Sequence, residues 1–429
     1  MEKMKYLGGF VIIVSILFAP FVINGEEMMQ VRLLNHIGET SKLKLQIKGN
    51  YHTLDPMIQL SADTEYNVLV KNGKLILKGD KQTYNATDSL VLVPHTYDEN
   101  HFIRINDRPY LGAMELRVEN NMYIRPVNQL PLEDYLKGVV PFEVFPDWSL
   151  ETLKAQALAA RTYAASHIGK EIDDTIQYQV YGGYMWDAKT TKAITETEGE
   201  VITYKDKLIN AFYSASNGGK TENNAHVWGG RALPFFPIKK DPYDPTHPWE
   251  FKLHEKQIDL DHINWDQPNS WDRLKEKDEE ITASMKSWLN RNGYPGDVKI
   301  LSIPEFKLSD KQLPSDRSVK GSISVEFLWR LFDGTVFVRN VHLENTELNR
   351  IRPMIGGNIF KSYLITSLEK EDAVYTMKGK GYGHGVGMSQ WGAHVMGEKG
   401  KSYKDIIQFY FPKTEITQLN SKNKIEDAS

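Results

Sequence analysis

The chain has 429 residues, of which 25% are charged, and a formal net charge of −4 at pH 7. This length predicts two modules, or one large core with insertions. The near-neutral charge argues against a nucleic-acid-binding protein, which usually carries a concentrated basic patch. The chain contains no cysteine, which excludes disulfides, thiolate metal sites and a cysteine nucleophile.

The N-terminus is typical of a secretory signal. Lys3 and Lys5 precede an apolar run over residues 6–23, and Gly25 stands before an acidic flank. The sequence therefore predicts a signal peptide over residues 1–25 that is cleaved after Gly25. An uncleaved membrane anchor is the alternative, because the run is nearly long enough to span a bilayer, although Pro20 weakens such a helix. With either outcome the rest of the chain is exported, and export without disulfides fits a Gram-positive envelope better than a eukaryotic secretory route.

Strand signals dominate the region that follows. Apolar residues alternate with polar ones from Leu43 to Ile47, which is the period of a half-buried strand. Asn72-Gly73 and Asn120-Asn121 each separate two apolar runs and predict hairpin turns. We therefore expect a β-rich N-terminal region over residues 26–105, which is either an integral support or a separate partner-binding module.

The remainder of the chain mixes helices with hairpins, so the predicted fold class is α+β. Ser149 can cap a helix whose small apolar residues predict burial in a core. Further elements are predicted in chain order: a hairpin turning at 205–207, a helix at 271–292, strands at 322–331 and 335–341, and a helix at 403–410. Residues 245–345 differ in character and are expected to be an insertion, and residues 418–429 form a polar tail.

Glu143 is the candidate acid. It lies between Pro141 and Pro146, which stiffen the backbone, and among apolar residues that include Phe145 and Trp148. Partial desolvation in such a setting raises the pKa of a carboxyl and keeps it protonated, as a general acid requires. From spacing alone, pairing with a cation or capping of the next helix is the more ordinary interpretation.

Polar residues on the helix after Glu143 form two stripes. Lys154 and Arg161 are seven residues apart and share a helix face, as do Gln156 and Tyr163. These side chains could line a binding groove. They could equally form a solvated face with buried stems.

Two glycine-containing segments are candidate binding loops. Gly218 and Gly219 suit a tight loop whose amides could meet a ligand, or a simple turn after a strand. Alternating glycines from 379 to 387 allow a backbone to approach a ligand or a neighbouring strand closely. The candidate groove residues of this second segment are Tyr382, His384, Ser389, Gln390 and Trp391.

Three segments together resemble the stage II sporulation protein D / LytB family of bacterial cell-wall proteins. They are LPLEDYLKGVVPFEVFPDWSLETLKAQALAARTYAASH from Leu130, NAFYSASNGGKTENNAHVWGG from Asn210, and GKGYGHGVGMSQWGA from Gly379. The resemblance covers most of the chain from about residue 105 and implies a family domain over residues 106–417. It matches residues 245–345 only loosely.

The resemblance implies a lytic transglycosylase, with Glu143 at the position of the glutamate implicated in catalysis in the sporulation branch. Such an enzyme cleaves the bond between N-acetylmuramic acid and N-acetylglucosamine in peptidoglycan and leaves 1,6-anhydro ends. Some family members hold zinc with histidine and cysteine. This chain has no cysteine, and it has Ser214 where relatives commonly carry histidine, so we expect no metal and no other cofactor.

A second function stays open beside the first. LytB-type relatives imply a non-catalytic protein that binds the wall and stimulates an amidase, and a purely structural wall-binding protein is a third alternative. The expected partners are peptidoglycan glycan strands and a cell-wall amidase. The expected location is the cell wall or the outer face of the membrane. Wall remodelling of this kind occurs in sporulation and in vegetative growth, and both roles stay open.

Overall fold

The computed structural model describes residues 27–80, 82–261, 270–310 and 312–420. The predicted signal segment, and residues 421–429 of the predicted polar tail, lie outside the described residues. The chain divides into two compact units. The first unit holds the described part of Met1–Val139 together with His167–Met185, and the second holds Val140–Ser166 and the described part of Trp186–Ser429. The predicted module boundary near residue 105 stays a prediction.

Over its described residues, the first unit is built from two six-stranded sheets with the orders β12-β1-β11-β10-β7-β3 and β6-β5-β4-β2-β8-β9. Their strands are β1 (Met28–Arg32), β2 (Lys42–Lys48), β3 (Tyr51–Thr53), β4 (Glu65–Lys71), β5 (Lys74–Lys78), β6 (Thr83–Asn85), β7 (Ser89–Pro94), β8 (Phe102–Ile105), β9 (Arg108–Leu111), β10 (Ala113–Glu119), β11 (Tyr123–Pro131) and β12 (Glu171–Asp173).

Local signals explain these strands. Leu43, Leu45 and Ile47 of β2 are buried while the lysines and glutamine between them are exposed, as the alternation predicts. Asn72 has a φ of 52° and Gly73 a φ of 70° in the turn between β4 and β5, the left-handed geometry of a tight hairpin. The two predicted hairpins of this region are therefore confirmed.

Helix α1 (Leu132–Glu143) follows β11, and the boundary between the units falls within it. The other helices are α2 (Leu150–Ala165), α3 (Ala188–Thr195), α4 (Asn224–Trp228), α5 (Glu279–Arg291), α6 (Leu348–Ile355), α7 (Gln390–Glu398) and α8 (Tyr403–Tyr410), with a short 3-10 helix at Trp271–Arg273. Among the described residues, no helix is long and apolar enough to cross a membrane.

In the part of the second unit that the structure describes there are four small sheets, of which β14-β13-β23 and β15-β22 border the helical core. The remaining strands of the chain are β13 (Glu200–Tyr204), β14 (Lys207–Leu208), β15 (Tyr213–Ser214), β16 (Pro248–His254), β17 (Asp297–Leu308), β18 (Lys320–Arg330), β19 (Val336–Glu347), β20 (Ile365–Glu371), β21 (Val374–Lys380), β22 (Met388–Ser389) and β23 (Glu415–Gln418).

Helix α2 is the centre of the helical core. Ser149 caps it, since its hydroxyl oxygen accepts the N–H of Thr152, as predicted. Alanines such as Ala155 and Ala159 let neighbouring elements approach closely, and they pack with Val386 and other apolar residues of β13, α7 and α8. The predicted helix at 403–410 is confirmed as α8.

A separate hydrophobic core is formed by the sheets β16-β21-β20 and β17-β18-β19 with α5 and α6, so it includes the predicted insertion over residues 245–345 and extends beyond it to β21. The hairpin between β18 and β19 turns at Gly334, as predicted. The helix predicted over 271–292 is shorter, because only Glu279–Arg291 is α-helical. The reason is tertiary: the carboxylates of Glu276 and Asp278 accept main-chain N–H groups of Ile300 and His254, which fix the segment before α5 in an irregular conformation. The α+β class is confirmed.

Candidate functional site

Glu143 is the last residue of α1 and is partly buried. The helix predicted nearby begins only after Ser149, and Gly138 and Pro141 both disfavour a helix before it. Helix α1 nevertheless continues through Pro141 and ends where the chain turns toward Ser149. Glu143 therefore lies at the junction of two helices rather than in an extended loop.

A cluster of aromatic rings includes Phe145 and Trp148, which follow α1 in the chain, and we call it the aromatic wall. Its members are Phe145, Trp148, Trp391, His394 and His247. Trp148 packs edge-on against Trp391 at 5.1 Å between ring centroids and stacks on His394 at 4.5 Å. Phe145 contacts both tryptophans, and the ring centroids of His247 and Trp391 are 4.8 Å apart. Phe145 is 57% exposed, so the wall reaches solvent beside Glu143.

Gln390 connects the glycine-rich segment to Glu143. Its side-chain amide donates a hydrogen bond of 3.2 Å to the main-chain carbonyl of Glu143, and the residue is only 7% exposed. Ser389, the residue before it, is the N-cap of α7, since its hydroxyl oxygen accepts the N–H of Gly392. The predicted site residues Gln390 and Trp391 thus share one neighbourhood with Glu143, while Ser389 is buried and supports them.

Asp244 fixes Ser389, and the sequence patterns did not single it out. The Ser389 hydroxyl donates to Asp244 Oδ2 at 2.6 Å. The same carboxylate accepts the hydroxyl of Ser216 at 2.8 Å and the main-chain N–H groups of Asn217 and Thr246 at 2.8 and 2.7 Å. Its lone pairs are therefore occupied within the protein, and the residue joins β22, the loop after β15 and the turn before β16.

Asp241 extends this support. Its carboxylate accepts the side-chain amide of Asn217 and the hydroxyl of Tyr410, both at 2.7 Å. Burial and the neighbouring Asp241 raise the pKa of Tyr410 well above its ordinary value, so the phenol keeps the proton it donates. The sequence signal that could have found both aspartates is the DPYDP run, in which two carboxylates sit in a proline-stiffened loop.

The turn before β16 is strained. Thr246 and His247 have φ angles of 63° and 32°, which β-branched and bulky residues rarely adopt. The carbonyls of both residues accept the N–H of Gly381, at 2.9 and 3.1 Å. Strain of this kind costs on the order of 1–3 kcal/mol per residue and is concentrated at functional sites. Here it holds His247 against Trp391.

His384 lies in a second group of rings. Its ring centroid is 5.0 Å from Trp228 and 6.2 Å from Phe212. Its Nδ1 accepts the N–H of Val386 at 3.0 Å. Burial, together with the nearby Arg317 guanidinium, lowers the pKa of His384 to about 4. The imidazole is therefore neutral near pH 7.

Arg317 lies behind the glycine-rich segment and was not predicted, because the insertion that supplies it matches the family only loosely. It is 3% exposed, and its Nη2 donates to the carbonyls of Asn217 and Lys220 at 3.0 and 3.1 Å. Gly385 has a φ of +74°, and a β-carbon there would lie 2.1 Å from Nη2 of Arg317. Burial lowers the pKa of this guanidinium from its ordinary value. Because Gly385 has no side chain, it leaves space for the buried guanidinium of Arg317.

Comparison with known proteins decides the family. The family model described as SpoIID, stage II sporulation protein, matches residues 120–204. The chain is 30% identical over 395 residues to an uncharacterized protein of Brachyspira hyodysenteriae, covering 89% of this chain and 91% of that protein. It is 29% identical over 325 residues to stage II sporulation protein D of Bacillus amyloliquefaciens, covering 69% and 76%. The chain belongs to the SpoIID family.

A further relative is longer than this SpoIID-family chain. The amidase enhancer of Bacillus subtilis is 38% identical over 385 residues, which are 89% of this chain and 53% of the enhancer. The chain thus spans about half the length of that relative.

In this SpoIID-family protein the two loop glycines already have partners. Gly218 and Gly219 have left-handed φ angles of 75° and 87°. Their N–H groups donate to the side chains of Ser216 and Asn217 at 3.2 and 2.9 Å. The amides are therefore engaged within the loop, and a ligand would have to displace these bonds to reach them.

Tyr382 is exposed and makes contacts of its own. Its hydroxyl donates to Asn358 Oδ1 at 2.7 Å, and the ammonium of Lys361 lies 5.7 Å from its ring centroid. Both partners lie in the loop between α6 and β20, which thus takes part in fixing the start of the glycine-rich segment.

The α2 residues predicted to line the groove have mostly internal partners. Arg161 is fully buried and donates to the carbonyls of Ile194 and Glu200 at 3.0 and 3.3 Å, so it ties α2 to α3 and β13. Lys154 pairs with Glu151 at 3.2 Å and with a second carboxylate on the residue after α3. These contacts give Arg161 and Lys154 a structural role within the protein, and the proposed site does not include them.

Gln156 and Tyr163 lie on another face of α2. Gln156 is buried, and Tyr163 is partly buried with its ring 6.2 Å from Phe212, which is part of the His384 group. Ser214 accepts the N–H of Gly385 at 3.3 Å. In the described ranges no group of three His, Cys, Asp or Glu side chains could hold a metal ion, and the metal-free site stays a prediction.

Proposed function

We propose that this chain is an exported peptidoglycan lytic transglycosylase and that Glu143 is its acid and its base. The observation that carries the proposal is the position of Glu143: it ends α1, partly buried beside the aromatic wall, with its main-chain carbonyl held by Gln390. We expect this setting to favour the protonated carboxyl, as a general acid requires.

The chemistry needs one carboxyl. The protonated Glu143 gives its proton to the oxygen that links N-acetylmuramic acid to N-acetylglucosamine. The bond from C1 of N-acetylmuramic acid to that oxygen breaks, and N-acetylglucosamine leaves with the oxygen as a hydroxyl. The resulting carboxylate then takes the proton of the sugar's own 6-hydroxyl, and the 6-oxygen bonds to C1 to close a 1,6-anhydro ring. No water is consumed, so the second carboxylate of ordinary glycosidases is not required. A positioned acid of this kind contributes about 10²–10⁴-fold in rate.

The aromatic wall supports a saccharide substrate. Sugar rings present C–H groups that pack against aromatic faces, while their hydroxyls need polar partners. Phe145 offers such a face beside Glu143, and Trp148 and Trp391 hold it in place. A glycan strand lying along this wall would bring its linkage oxygen to the carboxyl.

A second function is favoured by one comparison. The relative that is 38% identical is named an amidase enhancer, and a shared role would be to bind the wall and stimulate an amidase that removes stem peptides. Such a protein needs the binding surface but not an ionisable group at position 143. The two functions therefore differ in what the substitution Glu143→Gln does.

The deciding experiment uses the full chain and peptide-free glycan strands, with products identified by mass spectrometry. The transglycosylase is supported if wild type forms anhydro-muramyl ends and Glu143→Gln forms at least about 100-fold fewer. Glu398→Gln, at an exposed glutamate that ends α7, is the matched control and should keep full activity. Absence of anhydro ends on both denuded and intact wall overturns the enzyme. Equal stimulation of an amidase by wild type and Glu143→Gln then supports the enhancer.

A further inference from the structure

Trp228 presents an aromatic face to solvent outside the aromatic wall. It is the last residue of α4 and is 52% exposed. Phe212 covers one face of its ring, with centroids 4.3 Å apart and an angle of 33° between the planes. His384 meets the same ring at 5.0 Å and 61°. Trp228 is half exposed although two rings contact it, and its free face is the part that neither Phe212 nor His384 covers.

The Trp228 ring is held in place by Phe212, against which it packs, and by the fixed ends of its own helix, α4. Phe212 packs in turn on Phe236, at 5.7 Å. The N-terminus of α4 is capped by Asn223, whose side-chain oxygen accepts the N–H of Ala225 at 2.9 Å. Asn224 fixes the loop after the helix, because its side-chain oxygen accepts the N–H of Leu233 at 2.9 Å. A large aromatic face that is already fixed loses little conformational entropy when it binds.

The glycine-rich segment links Trp228 to the Glu143 site. His384, which contacts Trp228, and Gln390, which contacts Glu143, are six residues apart on that segment. Six residues of fully extended chain span at most about 20 Å. This limit places His384 and Gln390 within reach of one glycan strand of several sugars.

We propose that Trp228 is an accessory saccharide-stacking residue that binds a sugar of the same glycan strand at a distance from the bond at Glu143. This inference rests on the proposed saccharide-binding function and adds a determinant of substrate length to it. The C–H face of a sugar packs on the free face of Trp228, and the strand continues along the glycine-rich segment to the aromatic wall. A protein partner on the same ring is the competing occupant that the experiment separates.

The test measures binding in the Glu143→Gln background, where strands are not cut. The two probes are peptide-free glycan strands of many repeats and the disaccharide diacetylchitobiose. Trp228→Ala should weaken binding of the long strands about 5–10-fold and leave the disaccharide unchanged. Trp228→Phe, which keeps an aromatic face, should recover most of the loss. Phe332→Ala removes a ring that is 98% exposed on the β18–β19 turn and should change neither affinity.

Each other outcome is decisive. Unchanged binding of long strands by Trp228→Ala overturns the inference, and a simultaneous loss of amidase binding would assign the ring to a protein partner. Equal losses for both probes also overturn it, because Trp228 would then belong to the Glu143 site itself. If the parent protein binds no glycan of any length, the proposed function fails. Circular dichroism of each variant excludes unfolding as the cause.

Discussion

The side-chain amide of Gln390 donates a hydrogen bond to the main-chain carbonyl of Glu143 across a separation of 247 residues in the sequence. Gln390 opens α7, and Glu143 closes α1. The bond therefore ties the helix that carries the candidate acid to the glycine-rich segment. The position of the carboxyl depends on this contact as well as on its own helix.

Gln390→Ala should lower the rate of anhydro-end formation at least about ten-fold while lowering the free energy of unfolding by only about 1 kcal/mol. The physical reason is that the end of α1 gains freedom when its carbonyl loses the amide. Product formation by mass spectrometry and urea unfolding measure the two effects.

A matched control is present at Gln408. Its side-chain amide donates to the carbonyl of Thr414 at 2.8 Å, which is the same type of bond away from Glu143. Gln408→Ala should cost similar stability and leave the rate unchanged. Equal rate losses in the two variants would contradict a positioning role for Gln390.

Gly385→Ala should destabilise the protein by about 3 kcal/mol or more. Its new β-carbon would lie 2.1 Å from Nη2 of Arg317, and the left-handed φ of +74° adds strain. Arg317 is buried, and a shift of Nη2 would break its hydrogen bonds to two main-chain carbonyls. Gly400→Ala is the comparison, because Gly400 has the same φ of +74° but no atom lies within 4 Å of the point that its β-carbon would occupy. It should cost only about 1 kcal/mol. Thermal unfolding of both variants separates the cost of the β-carbon's contact with Arg317 from the cost of backbone strain. Similar losses of stability in the two variants would disprove the close approach of Arg317 to Gly385.

Elements with local causes could be predicted from the sequence. Asn72-Gly73 needs only its own left-handed geometry to make a turn, and Ser149 needs only the first turn of its helix to act as a cap. Helix α8 likewise begins at a capping box formed by Ser402 and Asp405. In each case the interacting groups lie within a few residues, so a short stretch of sequence contains the whole cause.

Features with distant causes could not be predicted. Helix α1 contains Gly138 and Pro141, which oppose a helix locally. In the structure Gln390 lies beside Glu143, whereas His384 lies beside Trp228. The alternating glycines did not predict these different positions, because the direction of each side chain follows from packing. Arg317 comes from an insertion with little resemblance to the family, so its approach to the glycine-rich segment had no sequence signal.

Asp244→Asn should lower the free energy of unfolding by about 3 kcal/mol and also lower activity. The carboxylate accepts four hydrogen bonds in a buried site, and an amide nitrogen in place of one oxygen would face donors instead of accepting them. Asp187→Asn is the control, since Asp187 only caps α3 at a more exposed position, and it should cost about 1 kcal/mol or less. Equal denaturation midpoints for the two variants would refute the supporting role of Asp244.

His384 should make stability depend on pH. Its pKa is lowered from 6.5 to about 4 in the folded protein by burial and by Arg317. As the pH falls below 6.5, the unfolded chain takes up a proton at this residue before the folded chain does. The free energy of unfolding therefore falls between pH 6.5 and 4, by up to about 3 kcal/mol, and this residue has no effect above that range.

The variant His384→Gln tests this dependence, because glutamine does not titrate. Urea unfolding of wild type and variant at several pH values between about 7 and 4 should give a steeper loss of stability for wild type. Parallel curves for wild type and His384→Gln would show that the imidazole titrates alike in the folded and unfolded chains. That result would rule out the neutral, desolvated histidine that contacts Trp228.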